Sequence, residues 1–182
     1  MTALAPELDA SRWFNTPMPL SLAALRGKVV VLHAFQMLCP GCVAHGTPQA
    51  EKLHRMFVRS DEVVVIGLHT VFEHHAAMTE VALEAFIHEY RLTLPIAIDR
   101  AGMDDPIPRT IQRYGMRGTP TTIVINRDGQ VREHAFGQVD DLALGVLVGS
   151  LLAMPTAALT QPEEAAGGCD DAGCPLSTAV VA

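Results

Sequence analysis

Two cysteines separated by two residues, Cys39-Pro40-Gly41-Cys42, are the side chains of this 182-residue sequence best suited to chemistry. A spacing of three places both on one face of a starting helix, near enough to bond to each other. The first stands at the helix N-terminus, where free N–H groups and the macrodipole favour a thiolate. Cys42 lies a turn deeper and is expected to stay protonated until it is needed. Dithiol exchange requires that asymmetry: one thiolate attacks and forms a mixed disulfide, and the second resolves it. The pair by itself also fits half of a zinc site, or two inert core cysteines. A buried strand before it and a helix after it are what the redox version needs.

The elements around the pair supply that setting. Residues 29–35, Val-Val-Val-Leu-His-Ala-Phe, form an apolar, β-branched run that suits a strand buried on both faces. A helix is predicted from Pro40 to about Val58, with Pro48 inside it as a kink. Residues 62–68 read as a second buried strand, followed by a histidine-rich loop and a helix over 79–91 capped by Thr79. A short strand over 94–98, with Pro95 near its start, is predicted at a sheet edge. A short helix over 109–114 follows, ended by Gly115. Strands over 121–126 and 130–136 flank Arg127-Asp128-Gly129, a hairpin turn, and 140–154 form the last helix. Residues 1–25 are read as an irregular wrap with a short helix over 21–25. Strand–helix alternation followed by a hairpin predicts an α/β domain over residues 1–154: a mixed central sheet with helices on both faces. Residues 155–182, rich in Ala, Pro, Gly and Thr, are expected to be a flexible tail.

Composition excludes several function classes. Hydrophobic residues at 49% and charged residues at 18% describe a globular chain, not a disordered one. The net charge of −7 disfavours nucleic acid or an anionic membrane as partner. The longest apolar run, within residues 142–154, is too short to span a bilayer. The first eleven residues contain no basic side chain and no long apolar run, so no secretory signal is read and a cytoplasmic location is expected. Four cysteines without a signal fit catalytic or metal-binding use better than a disulfide scaffold. No phosphate- or dinucleotide-binding glycine motif occurs, so no organic cofactor is implied.

Residues 25–32 (Leu-Arg-Gly-Lys-Val-Val-Val-Leu), Phe35, the Cys39-Pro40-Gly41-Cys42 motif and Pro48 together resemble the TlpA/ResA type of thioredoxin-fold thiol-disulfide oxidoreductase. Trp13 and Ser21-Leu22 resemble that family's lead-in, Gly118-Thr119-Pro120-Thr121 its second signature, and Asn126-Arg127-Asp128-Gly129 its hairpin turn. The likeness extends over about residues 10–153. It implies a thioredoxin-like fold and an enzyme in which Cys39 attacks and Cys42 resolves. It also implies a cis bond before Pro120, which lies against Cys39 while Thr119 presents its backbone to substrate. Pro40 and Gly41 line the same groove. The substrate would be a disulfide-containing protein or a small thiol, with a separate electron donor; neither of these, nor the oligomeric state, is given by the sequence. Three departures stand out. Leu38 replaces the tryptophan common before the first cysteine. His33 replaces an Asp or Asn six residues before it, a position from which an acid in thioredoxins takes the second cysteine's proton. Pro-Gly between the cysteines matches neither the Gly-Pro of reductants nor the Pro-His of strong oxidants. His33 is therefore weighed as a base against a packed core histidine. Glu73, in the loop after the second strand, is the other candidate for handling that proton. The lack of a signal favours the reductase direction.

Three side constellations remain. Cys169-Asp170-Asp171-Ala172-Gly173-Cys174 is a second cysteine pair in the tail, open to three readings: a redox relay to Cys39/Cys42, a metal site, or incidental thiols. His69, His74 and His75 crowd one stretch and are read as solvated loop residues rather than metal ligands, and His45 as a surface histidine. Two other activities are set against the leading one. In a peroxiredoxin-like peroxide reductase the nucleophile follows Pro-x-x-x-Thr/Ser-x-x, but Leu32 and Gln36 stand at those places. In a metal-binding or non-catalytic thioredoxin-fold module, all four cysteines would hold zinc or the fold would work without turnover.

Overall fold

A computed structural model describes residues 4–103 and 106–155. It orders them as β1 (Ala10–Phe14), β2 (Val29–Phe35), a π-helical turn (Cys42–Gly46), α1 (Thr47–Phe57), β3 (Val63–His69), α2 (Glu80–Glu89), β4 (Ile96–Asp99), α3 (Arg109–Arg113), β5 (Thr121–Ile125), β6 (Val131–Phe136) and α4 (Asp141–Ala153). The strands make one mixed sheet in the order β1-β4-β3-β2-β5-β6. β2 is central, buried at all seven positions, parallel to β3 and antiparallel to β5. This is the α/β architecture with a mixed central sheet expected from the strand–helix alternation, and the thioredoxin-like fold that the family resemblance implies.

The two faces of β2 explain the layers. Val29, Val31 and Phe35 pack with Ala50 and Leu53 of α1, Leu83 and Ile87 of α2, and Leu144, Val148 and Leu151 of α4. Val30, Leu32 and Ala34 face Leu22, Leu25, Tyr114 and Met116 on the opposite side. Period-2 alternation thus builds two cores from one apolar run. His33, an odd position, lies on the α1 side beneath the Cys39/Cys42 segment.

Two local expectations are corrected. The N-terminal segment is not wholly irregular: Ala10–Phe14 pairs antiparallel with β4, so β4 is an interior strand rather than an edge. Pro95 fits there because it precedes the first ladder residue, where a missing N–H costs no hydrogen bond. β1 is half-exposed and lacks a clear alternation, which is why its sequence reads as coil. Residues 21–25 form turns instead of a helix. The Glu7 carboxylate accepts the N–H groups of Leu22 and Ala23, at 2.8 and 2.6 Å, so a distant side chain satisfies what a helix would have. Thr79 caps α2 as expected, its hydroxyl accepting the Ala82 N–H at 3.2 Å. Of the expected tail, residues 156–182 lie outside the described residues, Cys169 and Cys174 among them.

Glu51 ties α1 to the approach of β4. Its buried carboxylate accepts the Thr93 N–H at 2.8 Å, the Thr93 hydroxyl at 2.6 Å and the Leu94 N–H at 3.2 Å. Glu51→Ala strands these donors and is expected to lower unfolding stability by about 1–3 kcal/mol, read as a lower urea midpoint with an unchanged slope.

Candidate active site

β2 ends at Phe35 and the chain turns through Gln36 to Leu38, delivering Cys39 to the edge of the sheet. The Cys39 N–H closes this turn on the Gln36 carbonyl at 3.2 Å, and the Cys39 carbonyl accepts the Val43 N–H at 3.0 Å. Pro40 sits in the first helical turn, where its missing N–H is no loss. The predicted kink at Pro48 takes a specific form. Over Cys42–Gly46 the helix widens by one residue, and the Thr47 N–H reaches back to the Cys42 carbonyl. A proline ring clashes with the carbonyl four residues before it, so the wider turn relieves Pro48 against Ala44. The same turn presses Gly46 onto the His33 ring: a Cβ at Gly46 would stand 2.4 Å from His33 Cε1. Glycine is required there by close approach.

The second half of the site comes from the segment before β5. The Thr119–Pro120 peptide is cis. The Gly118 carbonyl accepts the Thr121 hydroxyl at 2.7 Å, and the Pro120 carbonyl accepts the Gly137 N–H at 2.8 Å. The Pro120 ring lies over Gly41, with Cδ 3.4 Å from where a Cβ would be. The Cys39 thiol donates to the Thr119 carbonyl at 3.5 Å, and the Cys42 N–H points at Cys39 Sγ from 3.3 Å. Cys39, Pro40, Gly41, Cys42, Thr119 and Pro120 are therefore one cluster, as the sequence motifs anticipate. Leu38 stands beside them, 56% exposed.

The two thiols differ sharply. Cys39 is partly exposed, while Cys42 is fully buried. Burial pushes the Cys42 thiol up to about 12, and the neighbouring Cys39 sulfur adds to the effect. Cys39 is thus the accessible sulfur, and Cys42 is held as a neutral thiol behind it.

His33 takes the core reading rather than the base reading. It is buried, its Nε2 lies 3.3 Å from the Thr47 hydroxyl, and its Nδ1 has no hydrogen-bond partner. Burial lowers it to about 4, so it is neutral at ordinary pH and a weak acceptor for a thiol near 12. Its ring lies 5.6 Å from that of Phe35 and nearly parallel to it. His69 flanks Phe35 at 5.3 Å. The expectation of a solvated loop histidine fails for His69: β3 runs one residue further than its apolar run suggests, and this ring is buried, lowered to about 4, with Nε2 unpartnered. His45, His74 and His75 are exposed. Among the described residues no three His, Cys, Asp or Glu side chains converge to hold a metal.

Glu73 is exposed, yet it is tied to the site by Gln36, which the sequence reading saw only as a missing hydroxyl. Gln36 is 1% exposed. Its Nε2 donates to Glu73 at 3.3 Å and its Oε1 accepts the Phe72 N–H at 3.4 Å. Gln36, Gly46 and Thr47 are the functional neighbours that sequence reasoning missed. Their only signal is proximity in the chain to the cysteine pair.

The chain is similar to known proteins over most of its length. The profile of the AhpC/TSA family matches residues 3–134. Thiol-disulfide oxidoreductase ResA of Halalkalibacterium halodurans is 32% identical over 124 residues, which is 68% of this chain and 62% of that protein. The chain therefore spans about three-fifths of the length of this curated relative. A crystal structure of a thioredoxin-like superfamily protein superposes with a TM-score of 0.80 at 52% identity, covering 84% of this chain and 97% of the other. A thiol-disulfide isomerase from Corynebacterium glutamicum superposes with a TM-score of 0.78 at 51% identity, covering 83% and 98%.

The buried histidines give stability a defined pH dependence. In the unfolded chain each takes a proton near pH 6.5, whereas the folded protein resists until about 4. The unfolded state thus binds more protons across that window, and stability falls as pH drops through it. A loss of about 2–3 kcal/mol per histidine is expected between pH 6.5 and 4.5. Urea titrations of wild type and His69→Gln across this range check it: the variant's slope with pH should be clearly shallower.

Proposed function

The chain belongs to the AhpC/TSA family, as a TlpA/ResA-like member with the thioredoxin fold, and from that premise we propose that it is a thiol-disulfide oxidoreductase acting on disulfides through Cys39 and Cys42. One observation carries the reading. An accessible Cys39 sulfur lies 3.5 Å from the Thr119 carbonyl of the cis Thr119–Pro120 bond, with a buried and protonated Cys42 directly behind it. In the reducing direction the Cys39 thiolate attacks one sulfur of a substrate disulfide. The substrate S–S bond breaks, a Cys39–substrate mixed disulfide forms, and the other substrate sulfur leaves as a thiolate that takes up a proton. Cys42 then loses its proton and attacks Cys39 Sγ. This closes the Cys39–Cys42 disulfide and releases the second substrate thiol. Two electrons pass to the substrate, and an external dithiol restores the enzyme.

The groove offers an extended substrate segment the backbone of Thr119, with Pro40, Gly41 and exposed Leu38 beside the reacting sulfur. Cys42's proton leaves towards solvent at Glu73, the carboxylate that Gln36 holds at the rim. His33 keeps the π-helical turn in place as a neutral ring. The substrate class is a disulfide-containing protein or a small disulfide. The reducing direction is favoured because burial denies Cys42 a thiolate, so ionisation of that sulfur does nothing to stabilise the reduced pair. It goes with a reducing compartment, the cytoplasm.

Reduction of insulin disulfides by the purified protein with dithiothreitol tests the activity. Wild type is expected to turn over and Cys39→Ser to lose at least 1,000-fold, in line with removal of a nucleophile. Cys42→Ser is expected to accumulate the mixed disulfide. Peroxide consumption without disulfide reduction would replace this reading with a peroxide reductase. Equilibration in thiol buffers should give a potential near or below about −250 mV; a value above about −180 mV would reverse the direction and move the protein to an oxidising compartment. Glu73→Gln is expected to slow resolution by about tenfold and shift its pH profile, whereas His33→Asn should lower stability without moving that profile.

A further inference from the structure

α4 has no polar face. Leu144, Val148 and Leu151 are buried against the sheet, yet on its outer side Leu142 and Val146 are 79% and 73% exposed. A helix that is apolar all round is normally covered. Between α4 and α1 runs an apolar groove of about 480 Å³, walled by Met56 and Phe57 on one side and Val146 on the other. Gly145 and Gly149 form its floor, with open space where each Cβ would be. At Gln49, Lys52 and Asp141 it continues into a second hollow of about 300 Å³ that reaches His45 and Ala44, the two residues next but one beyond Cys42. The two hollows together run along α4 from Gly149 to the helical turn that begins with Cys42.

The chain leaves α4 at Met154, beyond Gly149, where that path begins. The Met154 carbonyl accepts from Arg127 at 3.5 Å, beside the β5–β6 turn and at the opposite pole from Cys39. α4, at thirteen residues, is about 20 Å long. Fourteen residues separate Met154 from Cys169. Their random-coil span is about 20 Å and their fully extended reach about 46 Å. Near their start, Thr156-Ala157-Ala158-Leu159 are small or apolar like the glycine-floored groove, and Glu163-Glu164 come later, towards Lys52, which pairs with Asp141 at 3.0 Å.

We propose that residues 155–168 occupy the α1–α4 groove and deliver the Cys169/Cys174 pair to Cys39, making the tail an internal dithiol relay for the active site. The step rests on the disulfide-exchange reading above. After the site has reduced its substrate, a tail thiolate attacks Cys39 Sγ. The Cys39–Cys42 bond breaks, a Cys39–tail disulfide forms, and Cys42 leaves and takes up a proton. The second tail thiol, losing its proton, attacks the tail sulfur of that bond. The Cys169–Cys174 disulfide closes and Cys39 is released as a thiol. Two electrons move from the tail pair to the active-site pair, and an external dithiol reduces the tail disulfide at the surface.

The test uses the full chain carrying Cys42→Ser, with the tail pair oxidised by diamide. Cys39 is then expected to attack the tail disulfide and stop there. Peptide mass mapping should find a Cys39–Cys169 or Cys39–Cys174 bond in monomeric protein, formed at a rate independent of protein concentration. Val146→Arg, which blocks the groove from an exposed position, should slow that bond at least tenfold while leaving the reaction of Cys39 with a small aromatic disulfide unchanged. Reaction of Cys39 with the small disulfide but no tail bond overturns the relay alone. No reaction with either overturns the exchange reading itself. A bond found only in dimers, at a rate rising with concentration, overturns the internal route in favour of a second copy. A rate unmoved by Val146→Arg removes the groove from the proposal.

Discussion

Ala34 pairs with Thr121, and His33 with Thr122, in the antiparallel ladder between β2 and β5. This register is the constraint on which the site depends. β2 runs towards the redox end of the sheet and β5 starts from it, so the segment that follows one lies beside the segment that precedes the other. Cys39 and Pro120 are eighty-one positions apart in sequence, yet they meet because two buried strands share this alignment. A slip of one residue would turn every side chain of β5 to the wrong face and lift Pro120 away from Gly41. The other strands protect the alignment. β3 pairs with β2 at seven consecutive positions, β6 covers the outer side of β5, and β1 covers β4. The ladder therefore stays straight where the two loops must meet.

Much of this was legible in the residues. Cys39-x-x-Cys42 after a β-branched run marks one half of the site, Asp128-Gly129 marks the hairpin that sends β6 back along β5, and Thr119-Pro120, by itself only a proline opening a strand, marks the other half through the family resemblance. These signals are local: each depends on a few adjacent residues whose backbone preferences agree with the fold. What was not legible depends on contacts between distant segments. β1 forms because β4 offers an unpaired edge, not because Ala10–Phe14 alternates. Residues 21–25 stay in turns because Glu7 supplies hydrogen bonds from fifteen or sixteen positions away. His69 is buried because Phe35 lies opposite it across the β2–β3 ladder. Pro48 announces a distortion, but only the structure shows that it is one extra residue in the turn after Cys42, with Gly46 and Thr47 against His33 of β2.

That extra residue connects the backbone geometry to the chemistry. The wide turn brings Gly46 onto His33, and Thr47 to its Nε2, so the histidine is buried beneath the helix. An acid sealed there would bring either a buried negative charge or a proton to exchange. A histidine lowered to about 4 brings neither. The histidine adds no charge to the floor of the site, and burial outweighs the hydrogen bonding at Gln36 and Thr119 that favours ionisation of Cys42, in keeping with a thiol held near 12. Among the described residues, the carboxylate bound to the turn that carries Cys39 is Glu73, held through Gln36. The packed histidine thus leaves no titrating acid at that position beneath the pair at ordinary pH. It also makes the fold sensitive to mild acid through the same ring.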